Sequence, residues 1–589
     1  MQLNWKKLAQ YGFLTGVAIW YVSLVGMVET FDSRNVVEGV LSLGVALLVV
    51  IALGMGYVGA MKLSHGKPAA AIVAGLLNGL LGGVLGAMLV LLIQSWEDMR
   101  SMFVNASPTL VKILTFEQES VSTGLLMLVG FITVLSLVGA ATYLVPALPR
   151  RMVITGFSAV LLIGMLQELL DVILSRSDST EFLTDLLFGR NGLSVQGAVI
   201  VFVVSGLLSG LWAWQSGNAK QKISEIPEKP RRTLNWVLIA LAVLIMILLP
   251  KALGPYITQI MVLVGLYALM GLGLNIEIGL AGLLDLGFVG FFAIGAYTVA
   301  LMTSTADLGF GNVINAEPGT SYSNFWVSIP IAVVVSAMAG VFLGIPVLRM
   351  RGDYLAIVTL GFAEIIRILV LSNFLQPLLG GAQGILNVPK PDAGYAAAMM
   401  QSLPAWANDI FFFWLGADGS FKEPQHFYYL IILGCLLIAF VAFRLQNARI
   451  GRNWMAIRED EDVAEAMGIN LISSKLLAFG IGAAFAGLSG AIFAAQVGSV
   501  FPHSFGLIVS INVVSLVIIG GSGSIPGVIV GALVLVGLPE LLREFSEYRL
   551  LIYGALLVVM MLVKPEGFWP SEVRRRELRD DLEPTPAAG

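Results

Sequence analysis

The sequence predicts an all-α polytopic membrane protein of about 16 transmembrane helices, about six in a first part and about ten in a second. Three observations carry that reading. Hydrophobic residues make up 57% of the 589-residue chain and charged residues only 12%, with a mean hydropathy of +0.87. Apolar runs of about 20 residues recur along it, the length that crosses a hydrocarbon core roughly 30 Å thick. Their Leu/Val/Ala/Gly mixture lacks the alternation of an outer-membrane strand, so the spans are helices.

The elements follow in chain order. Trp5-Lys6-Lys7 before the run 12 to 30 resembles a signal sequence, but no small-residue cleavage pattern follows and the run reads as a retained anchor helix. Further runs at 36 to 61, 69 to 94, 121 to 146, 152 to 174 and 194 to 214 complete an N-terminal membrane extension, 1–214, to which no motif assigns a role. A polar stretch, 215–233, carries Lys220, Lys222, Lys229, Arg231 and Arg232 with Pro227 and Pro230 and reads as a basic cytoplasmic linker. The second membrane domain, 234–570, offers runs at 234 to 250, 256 to 278, 280 to 302, 327 to 348, 354 to 374, 427 to 446, 476 to 498, 505 to 521, 525 to 543 and 548 to 564. The two between 505 and 543 are short and read either as spans or as re-entrant segments. Residues 571–589 form a cytoplasmic tail.

Charge tests this division, because Lys and Arg are retained on the cytoplasmic side. With the linker inside, Lys6, Lys7, Lys62, Lys67, Arg150, Arg151, the five linker cations, Arg349, Arg351, Arg444, Arg449, Arg452, Arg458, Lys475, Lys564, Arg574, Arg575, Arg576 and Arg579 also fall inside. That is 23 of the 34 cations, and it places both termini in the cytoplasm. The net charge of −4 is spread along the chain, without the basic surface that nucleic acid requires. Cys435 is the only cysteine and lies in an apolar run, and His65, His426 and His503 are far apart, so no metal site is expected. Two long external segments, 303 to 326 and 375 to 426, include Trp406 and the cluster Phe411-Phe412-Phe413-Trp414, suited to an interfacial belt or to an external partner.

Polar and glycine-interrupted positions mark a candidate path. Gly279, Gly282, Asp285 and Gly287 break one apolar stretch, and Gly520, Gly521 and Gly527 with Pro526 break another; such breaks line a transport path or allow close helix packing. Ionisable residues inside spans are expensive and so are candidates. Glu364 and Arg367, three apart, can neutralise one another as a structural pair or a gate, while Glu277 and Asp285 line an inner mouth or reach water. Asn275, Asn512 and Ser515 are neutral candidates for the wall. Small residues repeating from Gly482 to Gly490 predict tight helix contacts.

A charged island from Arg449 to Asn470 interrupts the apolar runs. Asn453 is a plausible N-cap, Trp454, Ile457, Ala464 and Met467 share a helical face, Gly468 suits a stop, and Arg458 can pair with Glu461 or Asp462. An ordered amphipathic segment of this kind is either a solvated loop or a handle for a soluble partner.

Beyond these physical signals, the chain from about Leu249 to Pro570 resembles the second permease subunit of the branched-chain amino-acid ABC importers, in the hydrophobic amino-acid uptake family. The resemblance is carried by Gly273-Leu-Asn275, Gly282-Leu-Leu, the stretch Gly287 to Tyr297, Pro346 to Phe362 with Glu364-Ile-Ile-Arg367, Gly380-Gly-Ala-Gln-Gly384-Ile385, the island, Lys475 with Ala483-Ala-Phe-Ala-Gly487, and Lys564-Pro-Glu-Gly567. It implies that the island is a coupling helix docking on a separate ATPase, with Glu461, Ala464 and Gly468 at the signature positions and Arg458, Glu459 and Asp460 leading in. It also implies path residues at Gly380, Gly381 and Gly384, although Leu379 stands where the family commonly has Thr. Implied partners are ATP-binding subunits, a second homologous permease, an external substrate-binding protein and the lipid of the bacterial inner membrane.

No Gly-x-x-x-x-Gly-Lys-Ser/Thr loop is present, so ATP is expected on partner chains and no cofactor on this one. Related permeases carry urea or short amides, which leaves that substrate class as an alternative. A secondary transporter driven through Asp285, Glu277 or the Glu364/Arg367 pair is the other. A membrane enzyme finds no nucleophile-base or metal constellation.

Overall fold

In the computed structural model, the described residues are 5–64, 67–96, 98–175, 178–225, 228–305, 324–347, 350, 353–392, 421, 423–541 and scattered positions from 554 to 570. The expected aromatic cluster 411 to 414, Trp406, the tail 571–589 and most of the last run, 548 to 564, lie outside them. The chain divides into two units, Met1–Ile239 and Ala240–Gly589.

Among the described residues, eleven helices are long and apolar enough to cross a membrane. The runs 234 to 250 and 256 to 278 fall on the two helical parts of Glu228–Leu274, which separate at a non-helical Gly254 between Pro250 and Pro255, as the sequence divides them. Gly254 takes φ 84°, open to a residue without Cβ, and Thr258 Oγ1 donates to its carbonyl at 2.6 Å. Other expected spans are divided differently. The expected linker is largely helical, because Val195–Glu225 continues past its apolar part and Glu228 opens the next helix. Run 36 to 61 begins as a β-hairpin and becomes helical only at Leu43.

The first unit is built on long helices: Trp5–Leu24, Leu43–Leu63, Pro68–Ser95, Val121–Leu144, Ala147–Met165 and Val195–Glu225. Glycines on Pro68–Ser95 let its neighbours approach: Gly82 faces Thr15, and Gly79 and Gly83 lie on the backbone of Thr133 and Val129. Within this contact Thr15 donates to Asn78 Oδ1 at 2.8 Å, and Asn78 Nδ2 reaches Ser136 at 3.5 Å. One pattern occurs twice, a helix, short helical turns, a two-strand hairpin and a serine-capped returning helix. Ser42 accepts from Val45 N and Ser194 from Gly197 N, and strand Asn35–Val37 pairs in parallel with Gly192–Leu193 to join the hairpins.

The second unit centres on Leu471–Val497. Its small-residue stripe packs as the spacing predicts: Gly490 lies on the Phe292 carbonyl in helix Phe288–Thr303, and Gly487 lies against Ser336 in helix Phe325–Val347. Helices Asp353–Leu371, Pro424–Asn447, Leu507–Gly520 and Ile525–Ala532 complete the described part. The expected span 280 to 302 starts late, at Phe288. Before it, Asn275–Leu280 forms a π-helical turn, Gly282 takes φ 71° and residues 281 to 287 leave the helix.

Candidate functional site

The two glycine-broken stretches meet. Asn275 Oδ1, almost fully buried in the π-helical turn, accepts from Gly523 N at 2.8 Å, and a Cβ on Gly279 would lie 2.4 Å from the same nitrogen. Gly520 rests on the carbonyl of Gly527, so the chain reverses tightly between Leu507–Gly520 and Ile525–Ala532. Carbonyls freed at that break are taken by the chain beyond the last helices: Phe568 N donates to Ile519 O at 2.8 Å and Trp569 N to Gly520 O at 2.9 Å. Backbone that leaves a helix at membrane depth must be satisfied by protein, and these bonds do so.

Glu277 and Asp285 are both 0% exposed, so neither reaches water at an inner mouth. Asp285 Oδ1 accepts from Gly287 N at 2.6 Å, while both Glu277 oxygens and Asp285 Oδ2 meet no donor among the described residues.

The island folds as two helices, Arg449–Glu459 and Glu461–Ala466. Asn453 lies inside the first, and the N-cap is Asp460, whose side chain accepts from the nitrogens of Asp462 at 2.9 Å and Val463 at 3.0 Å. A corner at Asp460 redirects the second helix, which the single-helix periodicity did not anticipate. Trp454, Ile457 and Ala464 are buried, with Trp454 Nε1 donating to Ser474 O at 2.8 Å. Met467 is turned out instead, because the helix ends at Ala466; Gly468, at φ 85°, closes it as the spacing predicts. The outer face presents Glu459, Asp462, Val463, Glu465 and Met467.

Two side chains tie this pair to the core. Arg458 Nη1 donates to Gly279 O at 2.8 Å, and a Cβ on Gly282 would strike the Arg458 side chain at 2.7 Å. Glu461 receives Lys475 Nζ at 2.7 Å, where the lysine side chain is 5% exposed. Lys475, which the sequence reading named as a cytoplasmic cation and as part of the resemblance but gave no role, thus belongs to the site, and a cation within an apolar helix was a usable signal. Thr359, whose hydroxyl accepts from Leu286 N at 3.1 Å, carried no such signal.

Other expected path residues lie apart. Gly380, Gly381 and Gly384 all take positive φ and form a turn that leads to the Ile385–Val500 bridge, away from Asn275. Glu364 and Arg367 pair along helix Asp353–Leu371, with Nε bonds of 3.0 Å. Asn512 is half-buried and Ser515 buried on Leu507–Gly520.

Interrupted helices meeting in a dry centre, with an amphipathic helix pair bonded to that centre, define a polytopic membrane permease. Residues 256–561 match the family described as the branched-chain amino acid transport system permease component. The chain is 44% identical over 306 residues to the high-affinity branched-chain amino acid transport system permease protein LivM of Salmonella typhimurium, covering 52% of this chain and 68% of that one. The Escherichia coli K12 LivM is likewise 44% identical, over 307 residues with the same coverage. The E. coli K12 permease LivH is 33% identical over 140 residues, 23% of this chain and 44% of that one. No solved structure matches. The chain belongs to the branched-chain amino acid transport permease family.

Proposed function

We propose that this chain is a pore-forming permease subunit of an ATP-driven importer for branched-chain amino acids in the bacterial inner membrane. In this reading ATP binds to separate ATPase subunits, an external binding protein delivers the substrate and a second permease completes the pore. The observation that carries it is the bonded route from the island to the core, through Arg458 to Gly279 in the broken segment and through Glu461 to Lys475 on helix Leu471–Val497. A push on the exposed face of Glu461–Ala466 is transmitted by these bonds to the segment that carries Asn275, Glu277 and Gly279. The acidic and apolar face of Glu459, Asp462, Val463, Glu465 and Met467 is the ATPase contact in this reading, and Glu461 faces inward.

The test is reconstitution with the co-encoded ATPase, second permease and binding protein in proteoliposomes. ATP-dependent leucine uptake that exceeds urea uptake is the expected result. Uptake that persists without ATP and the ATPase would replace this reading with an ion-coupled carrier, and preference for urea would replace the substrate.

A further inference from the structure

Helix Asp353–Leu371 turns one face into the second unit, through Leu355, Ala356, Thr359, Ala363 and Val370, and leaves the other uncovered by the described residues. The uncovered strip runs through Tyr354, Ile357, Gly361, Glu364, Ile365 and Ile368, positions three or four apart. Two features on it do not suit lipid. Glu364 lies about 17 Å from the helix start at 1.5 Å per residue, near the middle of a hydrocarbon core. Its ion pair with Arg367 nevertheless leaves the two side chains 45% and 33% exposed. Charged pairs in spans face protein or a wet cavity, because hydrocarbon solvates neither partner. One turn earlier, no described residue outside its own helix comes within 4 Å of where a Cβ on Gly361 would stand. A glycine weakens a helix and gains nothing against lipid, but it admits a neighbouring helix to close range. Gly54 and Gly130 are equally open in the first unit, but neither has a charged residue within a turn of it.

From this strip we infer that it is the docking face for the second, homologous permease subunit, with Gly361 at the closest approach and the Glu364–Arg367 pair at the seam. The inference rests on the importer reading, in which two permeases assemble; E. coli K12 has both LivM and LivH as permease proteins named for one transport system. The seam then places an ion pair where the two permeases meet in mid-membrane. Glu364 and Arg367 hold the interface polar enough to exclude lipid.

The experiment places a benzophenone amino acid at Ile365, Ile368 or, for comparison, the exposed Phe342 of helix Phe325–Val347, in the full chain co-expressed with the co-encoded second permease, ATPase and binding protein. Irradiation should yield adducts with the second permease from 365 and 368 and not from 342. Lipid adducts alone, adducts with another copy of this chain, or equal yield from 342 would overturn the assignment. A second variant, Glu364→Leu with Arg367→Leu, removes the charges without removing bulk. It should lower recovery of the second permease with this chain about fivefold at equal expression, the effect of a modest loss of binding energy; unchanged recovery counts against the inference. ATP-driven leucine uptake by the same vesicles separates the two claims. Adducts without uptake sink the importer reading and leave the face, whereas uptake without adducts sinks the face alone.

Discussion

The two units solve the problem of burying polar groups among apolar helices differently. In the first, Thr15 and Ser136 both bond Asn78 across three long helices, and among the described residues the buried side chains left without a partner are the hydroxyls of Ser23 and Ser64. In the second, the groups that meet no donor among the described residues include both oxygens of Glu277 and Oδ2 of Asp285, and the surrounding backbone is a π-helical turn followed by seven residues outside any helix, one of them a positive-φ glycine. A satisfied neutral network in unbroken helices fixes one packing. Carboxyls in an interrupted segment, bonded through Arg458 to a surface helix pair, form the region that a small displacement would alter most. The comparison sets a first unit with a bonded, continuous interior against a second whose interior is interrupted.

The largest expected effect falls on the tie between island and core. Glu461→Lys places a second cation beside the buried Lys475, and breaking such a pair costs about 3–5 kcal/mol. ATP-dependent uptake should be lost while the chain still inserts, and the exchange Glu461→Lys with Lys475→Glu should restore part of it. Wild-type uptake in the single variant would remove the claim that this bond transmits force. Gly282→Ala should act more mildly. It forces a Cβ into φ 71° at about 1–2 kcal/mol and against Arg458, so uptake should fall with ATPase binding retained. Loss of ATPase binding in pull-down would instead make Gly282 part of the docking surface.

The smallest effect tests the first unit. Asn78→Leu removes one interhelical hydrogen-bond set, worth about 0.6 kcal/mol each in membrane helices. Thermal unfolding of the first unit, followed by protease resistance, should drop slightly with uptake unchanged. A large loss of uptake would erase the contrast between the two units.

Much of the second unit was legible because its signals are local. The stripe from Gly482 to Gly490, the breaks at Gly279 to Gly287 and at Gly520 to Gly527, the Glu364/Arg367 pair and the stop at Gly468 are set by residue type and spacing. What failed were arguments that assumed one continuous helix. Met467 fits an apolar stripe on paper, yet the corner at Asp460 and the end at Ala466 turn it outward. The span drawn through Gly282 likewise ignored that a backbone break relocates a helix end without changing hydropathy.

Sequence by itself determined that the chain is helical and membrane-spanning, where its helices break and that an amphipathic island interrupts them. Apolar length and glycine placement act over a few residues, so the chain carries them openly. Only the tertiary structure decided which breaks meet. Asn275 finds Gly523 across 248 residues, Arg458 finds Gly279 across 179, and Glu461 turns to Lys475 instead of to solvent. It also buried Glu277 and Asp285 together and left the ion pair of Glu364 on an open face. Those outcomes depend on how helices pack, and a buried charge and an exposed one look the same in a sequence.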